Sequence, residues 1–433
     1  MSGLSSSSCV VLVGGGVASA AAGAGLRVQG YDGRVVLVSD ELHLPYERPP
    51  LSKEYLSGKF DVADFQTHPE GWYAENEIEV LLGTRVSSVD PVARRVTLSD
   101  GAALEYDALV LATGVRARAL PGFTGDRVHS IRSITDTERL ASRLTQSQHL
   151  AILGAGFIGC EVAAIAAAQG VRVTVFEPAP VPLARALGAD FGRTMVDIHA
   201  DHGVEIRSGH QVTSMTETDD GLLLHTADGE TIACDELLVG VGSIPNTELA
   251  VAAGLRIDEA TGGIATDEFG RTSDPRIYAI GDVASRLHPI LGRAIRVEHH
   301  DTAQRHGANV AANILGHEEP FSDAPYFWSD QYDHSLKALG HAGPDATTVI
   351  RGSVEDRCFS VFSLEDGRVT AVATLDRPRD LMATRKLLGV PHQATAEQLA
   401  DEGFDLKALL PQRPRTRPNG ARQSGVCPSE ACS

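Results

Sequence analysis

The chain is poor in cysteine: six in 433 residues, at positions 9, 160, 234, 358, 427 and 432. Thiols so few and so widely spread exclude a disulfide-built framework and fit a reducing compartment, so the cytoplasm is the expected location. Aromatic residues make up 5%, which excludes broad base-stacking surfaces. Positive charge is also short. Lys and Arg number 38 against 57 Asp and Glu, a formal charge of −19. A bulk field of that sign repels phosphate polymers, so no nucleic-acid partner is expected. It leaves room for a small basic patch facing an acidic protein. Long apolar runs are missing too. Ser2 to Leu26 is uncharged but has no basic residue ahead of Arg27, which does not suit a signal peptide. It also holds Gly14, Gly15, Gly16, Gly23 and Gly25, which does not suit a spanning helix. No later stretch of about 20 residues is free of charge, so no membrane partner is expected.

What is present is ordinary for a folded protein, with 42% hydrophobic and 22% charged residues. The length gives a prior of three domains at roughly 150 residues each. Cys9 to Val13 is a short apolar run ended by glycines and reads as a buried parallel strand. An alanine-rich helix from about Val17 to Gly30 follows, and Arg34 to Ser39 reads as a second strand. The same unit recurs with the strand His149–Leu153, a helix from Phe157 to Gly170 and the strand Arg172–Glu177. Further buried strands are expected at Asp107–Gly114, Asp235–Gly242 and Arg276–Asp282. Beyond about Tyr326 the pattern changes to antiparallel strands separated by Asp-Gly turns, such as Thr348–Arg351, Cys358–Phe362 and Val369–Thr374. Residues 1–8 and 413–433 have the composition of disordered tails.

Each unit carries a glycine turn. The first is Gly14-Gly-Gly16-Val-Ala18-Ser19, close to the G-x-G-x-x-G/A template of dinucleotide sites, with small Ser19 in the third position. The second, Gly154-Ala-Gly156-Phe157-Ile158-Gly159, fits the template fully. In both, free N–H groups at a helix start suit a pyrophosphate. A carboxylate for the adenosine ribose is expected roughly 20 residues on. Asp40, with Glu41 beside it, and Glu177 stand there. Glu177 would repel a 2′-phosphate, and residues 178–182 offer no arginine to hold one, so NADH is favoured over NADPH. Two dinucleotide sites imply two dinucleotides, most economically a bound flavin and an exchangeable nicotinamide.

Several segments together carry a more specific signal: Pro45-Tyr-Glu-Arg-Pro-Pro-Leu-Ser-Lys53, Ala112-Thr113-Gly114, Val241 to Leu249, Tyr278 to Val283 and Tyr326-Phe-Trp-Ser-Asp-Gln331. With them the chain resembles, from about Val10 to Leu388, the single-component ferredoxin reductases. These are NADH-dependent FAD proteins that serve bacterial haem-thiolate monooxygenases and ring-hydroxylating dioxygenases. The resemblance implies a glutathione-reductase-like α/β fold of two Rossmann-type dinucleotide-binding domains plus a C-terminal α+β domain. The expected divisions are 9–117 and 248–325 for FAD, 118–247 for NAD and 326–412 for the last domain.

Carried onto matching positions, the resemblance gives Asp282 the FAD ribityl chain, Asp40 the adenosine ribose and Val86 a backbone contact near adenine. Arg132 would touch FAD, His300 would offer a backbone contact, and Trp328 would lie beside the isoalloxazine. The remaining expected cofactor contacts are Arg48, Gly242, Gly281, Glu298 and His299. Lys53 has a reason of its own: an ammonium stabilises the negative charge of a reduced flavin. The resemblance pairs it with Glu161, so Lys53, Glu161 and Trp328 are the expected tuning residues.

Residues 41–60 contain no cysteine, whereas disulfide-reducing relatives place theirs there. Electrons are therefore expected to leave singly to a 2Fe-2S ferredoxin, since a nicotinamide gives a hydride, a cluster takes one electron, and a flavin can do both. Cys427 and Cys432 read as an incidental tail pair. His199 and His202 read as solvent-facing histidines, and no metal site is expected. Ferredoxins are usually acidic, so Arg377, Arg379, Arg385 and Lys386 are candidate docking residues. The expected assembly is a monomer or weak dimer. A rubredoxin- or nitrite-reductase-type carrier and an apoptosis-inducing-factor-like NADH sensor would share the same fold.

Overall fold

The chain's structure is a computed structural model that describes residues 4–183, 187–343 and 345–411. Strand β1 (Cys9–Val13) is buried along nearly its whole length, as a fully apolar strand must be when both faces of its sheet are covered. It pairs in parallel with β2 (Arg34–Val38) and with β4 (Ala108–Leu111). β3 (Ile78–Leu81) extends one edge and β10 (Ile277–Ala279) the other, giving the order β10-β4-β1-β2-β3. The last of these strands arrives after the entire second unit has been traversed.

That second unit repeats the arrangement. β5 (Val128–His129), β6 (His149–Leu153), β7 (Arg172–Glu177), β8 (Val204–Ser208) and β9 (Glu236–Val239) form a parallel sheet in the order β8-β7-β6-β9-β5. Helices α1 (Val17–Val28) and α2 (Phe157–Ala168) follow β1 and β6, the central strands of the two sheets. α4 (His300–Ile314) crosses α1 with its backbone almost touching. A side chain at Gly307 would come 2.3 Å from the Ala18 carbonyl, and one at Gly25 would meet Ala311 at 2.8 Å. The glycine and alanine content of the uncharged N-terminal stretch is thus the requirement of a close helix crossing.

Beyond these units β11 (Tyr326–Gln331), β12 (His334–Gly340), β13 (Thr347–Ser353), β14 (Cys358–Glu365) and β15 (Arg368–Leu375) form an antiparallel sheet in the order β11-β12-β15-β14-β13, with α5 (Pro378–Leu387) against it. α3 (Ala189–Asp201) lies between the second unit and this sheet. Its Phe191, Met195 and Ile198 pack with Leu336, Phe359 and Leu375. His199 follows Ile198 into that contact and is fully buried, which corrects the expectation of a solvent-facing histidine; His202 is exposed. Residues 4–8 lie within the described part of the expected N-terminal tail. The Ser8 amide donates to the Ser5 carbonyl, and the Ser8 carbonyl accepts from the Tyr31 hydroxyl at 2.6 Å. Residues 413–433, with Cys427 and Cys432, lie outside the described residues. Among those residues no helix is long and apolar enough to cross a membrane.

Candidate functional site

Both glycine turns are shaped by the same two demands. Gly14 has φ +126°, and a Cβ there would sit 2.2 Å from the Ala112 carbonyl oxygen. Gly154 has φ +94°, with the Gly240 oxygen at 2.6 Å from such a Cβ. Only glycine tolerates that backbone and that proximity. Gly16 and Gly156, the N-caps of α1 and α2, are the opposite case: nothing lies within 4 Å of a Cβ on either. No side chain caps either helix, so the N-terminal amide groups stay open to a ligand. At the third position of the second turn, Gly159 is required because a Cβ would meet the Gly154 oxygen at 2.1 Å. Ser19 fills the matching place in the first turn, completely buried and with no partner for its hydroxyl.

The first turn opens into a cavity of about 1290 Å³. That is more than the roughly 300–1,000 Å³ of an ordinary small-molecule pocket and suits an extended dinucleotide. Its lining brings together most of the expected residues from distant parts of the chain: Gly14, Gly16, Ala18, Asp40, Glu41, Arg48, Lys53, Val86, Ala112, Thr113, Gly114, Arg132, Phe157, Ile158, Glu161, Asp282, Glu298, His299, His300 and Trp328. Gly154, Gly156, Gly159, Glu177, Gly242 and Gly281 do not line it. The first four belong to the second turn and its following strand. Gly281, with φ +69°, backs onto Ala18 behind the wall.

Several carboxylates expected to face a ligand have protein partners. Glu41 accepts from Arg48 at 2.7 Å and from the Tyr46 hydroxyl. Asp282 pairs with Arg132 at 2.9 Å. Glu298 pairs with Arg296 at 2.6 Å and accepts from Ser243. Glu177 accepts from the Ala155 and Ala179 amides at 2.9 and 2.8 Å, which fixes its carboxylate at the end of β7. Asp40 is exposed and lines the cavity without such a partner among the described residues. Arg132 keeps its Nε buried without a partner, as His299 does its Nδ1. Burial pushes the pKa of His299 down to about 4, so this imidazole is neutral at pH 7. Unmet donors in the wall and bare glycine amides at the turn are what a phosphate- and ribityl-bearing cofactor such as FAD requires, so the residues fit it.

Lys53 and Glu161 meet deep in this cavity. Lys53 is 8% and Glu161 6% exposed, with Nζ 3.4 Å from Oε1. Glu161 also accepts from Ser52 at 2.5 Å and from Ser329 at 2.6 Å. Burial pushes the Glu161 pKa up, and Lys53, Ser329 and Ser52 oppose that push. The Lys53 ammonium lies 5.9 Å from the Trp328 ring centroid. Trp328 is half-buried, stacks on Tyr326 and meets His300 edge-on at 5.8 Å. Among the described residues no cysteine lines the cavity. Cys160, the neighbour of Glu161, is buried with its thiol pKa raised to about 12.

Sequence reasoning left some participants without roles. Ser52, Ser329 and Gln331 sit inside motifs but draw attention only once their partner Glu161 is located. Asn246 exchanges two hydrogen bonds with Thr113, at 2.7 and 2.8 Å, and so pins the second half of the chain to the Ala112-Thr113-Gly114 turn.

Residues 8–307 match the pyridine nucleotide-disulphide oxidoreductase family, and residues 326–410 match the reductase C-terminal family. This chain belongs to the pyridine nucleotide-disulphide oxidoreductases. Among curated members, rhodocoxin reductase of Rhodococcus erythropolis is 39% identical over 93% of this chain and 94% of its own. The ferredoxin–NAD(+) reductase component of the anthranilate 1,2-dioxygenase system of Burkholderia cepacia is 38% identical over 92% and 98%. Among solved structures, the covalent putidaredoxin reductase–putidaredoxin complex superposes with a TM-score of 0.89 at 35% identity, covering 94% of this chain and 98% of that one. Family membership gives the two glycine turns one frame: paired dinucleotide sites on one oxidoreductase chain.

Proposed function

We propose that this chain is an NADH-dependent ferredoxin reductase that holds FAD in the large cavity. The observation that carries the reading is the buried Lys53–Glu161 pair beside Trp328, at the floor of a dinucleotide-sized cavity lined by no cysteine among the described residues, in a family member whose relatives are named as ferredoxin reductases. Bound FAD supplies the exchange between two-electron chemistry with NADH and one-electron chemistry with a 2Fe-2S cluster.

The chain's own residues bind, orient and set charge. The start of α1 and Gly16 hold the FAD pyrophosphate, Asp40 its adenosine ribose, and Asp282 with Arg132 its ribityl chain. The start of α2 and Gly156 receive the NADH pyrophosphate. Glu177, fixed by two backbone amides, accepts from the ribose and repels a 2′-phosphate. Lys53 places a positive charge at the cavity floor, Glu161 aims that charge from 3.4 Å away, and Trp328 covers the pair. The division 9–117 with 248–325, 118–247 and 326–412 is the matching domain plan. It is supported by three sheets drawn from 9–111 with 277–279, from 128–239 and from 326–375.

The ferredoxin would dock near α5. Arg385 lies 5.0 Å from the Tyr326 ring, one stacking contact from Trp328, and Arg379 and Lys386 are exposed on the same helix. Arg377 is committed to Asp380 at 2.7 Å and Glu402 at 2.6 Å, so we assign it to holding the domain. We expect a cytoplasmic monomer or weak dimer. The test is a visible spectrum of the purified protein, followed through NADH addition and then an oxidised 2Fe-2S ferredoxin. Flavin bands that bleach with NADH and return with ferredoxin are expected. A protein that stays colourless after incubation with FAD overturns the proposal.

A further inference from the structure

The Lys53–Glu161 pair continues into the protein. An ionised carboxylate only accepts, so the Ser329 hydroxyl, 2.6 Å from Glu161 Oε1, donates to it. A serine has one hydroxyl hydrogen, so Ser329 Oγ accepts from Gln331 Nε2 at 3.0 Å. That turns the Gln331 amide oxygen toward His199 Nε2, 3.0 Å away. His199 therefore carries its hydrogen on Nε2, and its Nδ1 accepts from the Tyr332 hydroxyl at 2.9 Å. Every donor points toward Glu161. Ser329, Gln331 and His199 are all nine-tenths or more buried. Tyr332 has φ +56°, a conformation bulky side chains rarely adopt. Its ring stacks on His202 with centroids 3.6 Å apart.

We propose that Tyr332, His199 and Gln331 form a positioning relay. Tyr332 sets the His199 tautomer, His199 sets the Gln331 amide, and Gln331 keeps the Ser329 hydroxyl donating to Glu161, which holds Glu161 ionised opposite Lys53. Its consequence for electron transfer rests on the function proposed above; the relay itself does not. With the opposite tautomer Gln331 turns over, Ser329 donates to the amide oxygen, and Glu161 loses one of three donors. Burial then favours the protonated acid, and Lys53 faces a neutral group.

Few titratable groups surround the relay. Lys53 faces Glu161 from the segment after Pro50. Cys160 on α2 stays a neutral thiol. His202 faces Tyr332 from the end of α3, and β11 contributes only neutral side chains to the chain of bonds. Burial pushes the His199 pKa down to about 4, in keeping with a neutral ring that accepts at Nδ1.

The test reads Glu161 itself. Infrared difference spectra of the oxidised, FAD-loaded protein against pH carry a carbonyl band from a protonated buried carboxyl, assigned by its absence in Glu161→Gln. His199→Leu and Tyr332→Phe should each raise the midpoint of that band by about one pH unit, the tenfold change expected on losing a charge-assisted donor. His199→Gln, which keeps a donor facing Gln331, should restore the wild-type midpoint. Unchanged midpoints in the Leu and Phe variants, with FAD still bound, overturn the relay. If those variants do not fold, nitrogen-15 NMR of the wild-type histidines decides. The resonance lost in His199→Gln must report hydrogen on Nε2, and hydrogen on Nδ1 overturns the relay. Shifted midpoints in a protein that reduces no ferredoxin would count against the proposed function and leave the relay standing.

Discussion

Removing the Lys53 charge by Lys53→Met isolates a buried carboxylate, and its cost should depend on pH in a particular sense. At the observed 3.4 Å separation, and with an effective dielectric of about 20, the attraction is about 5 kcal/mol. Part of that offsets the desolvation of two charges, and breaking such a pair at one end costs about 3–5 kcal/mol. Glu161 can escape by taking a proton. Its folded-state pKa already lies above the ordinary value of 4.5 because of burial, and losing Lys53 raises it further. A carboxyl whose folded pKa exceeds its unfolded one binds more protons in the folded state. Stability then falls as pH rises from the unfolded pKa through the folded pKa. The variant's deficit relative to wild type should therefore be under about 1 kcal/mol near pH 5 and approach about 3 kcal/mol near pH 8. The assay is the thermal midpoint of the FAD-loaded protein at both pH values, with Lys53→Met/Glu161→Gln recovering most of the loss, since a neutral pair leaves no charge stranded. A deficit of equal size at pH 5 and pH 8 would refute the reasoning, because it would mean that Glu161 is not the group that suffers.

Gly14→Ala should cost more than about 2 kcal/mol and yield poorly folded, colourless protein, since both its φ and the Ala112 oxygen forbid a side chain. Gly16→Ala should fold with an unchanged apoprotein melting point yet bind FAD at least about tenfold more weakly, because only the ligand occupies the space beside it. Arg377→Ala should lower the thermal midpoint through loss of its Asp380 and Glu402 contacts while leaving the ferredoxin KM unchanged. Arg385→Glu should raise that KM without affecting ferricyanide reduction, and the reverse pattern would remove the docking assignment. Ser19→Ala should stabilise the protein by about 1 kcal/mol in a melt, because it removes a buried hydroxyl that has no partner.

The strand boundaries were legible because apolar runs ended by glycine have one physical meaning in a doubly covered sheet; Cys9–Val13 and His149–Leu153 form as the pattern predicts, and Arg172–Glu177 forms as the strand that follows the second helix. The glycine turns were legible for the same reason, each position answering a local demand of φ or clearance. Partnership across the chain was legible only where the resemblance supplied it, as for Lys53 and Glu161. Nothing in residues 40–48 says that Glu41 is held by Arg48 and Tyr46 while Asp40 stays free. Nothing near Asp282 announces Arg132, 150 residues away.

His199 shows where the boundary lies. Read alone, a histidine near a helix end beside Ala and Asp is a surface residue. Phe191, Met195 and Ile198 nevertheless mark an apolar stripe, and His199, four residues after Met195, stands at its edge. The stripe promised a partner surface without saying which one, and the third sheet supplies it. Once buried, the imidazole must bond at both nitrogens or leave a polar atom unmet. The strand meets that need with Gln331, and the following turn with Tyr332. Residues 329 and 331 alternate onto one face of β11, so the amide that satisfies His199 also reaches Ser329. A constraint that begins as ordinary helix-on-sheet packing thereby ends at the Glu161 carboxylate, which is why a residue outside the cavity can govern a charge inside it.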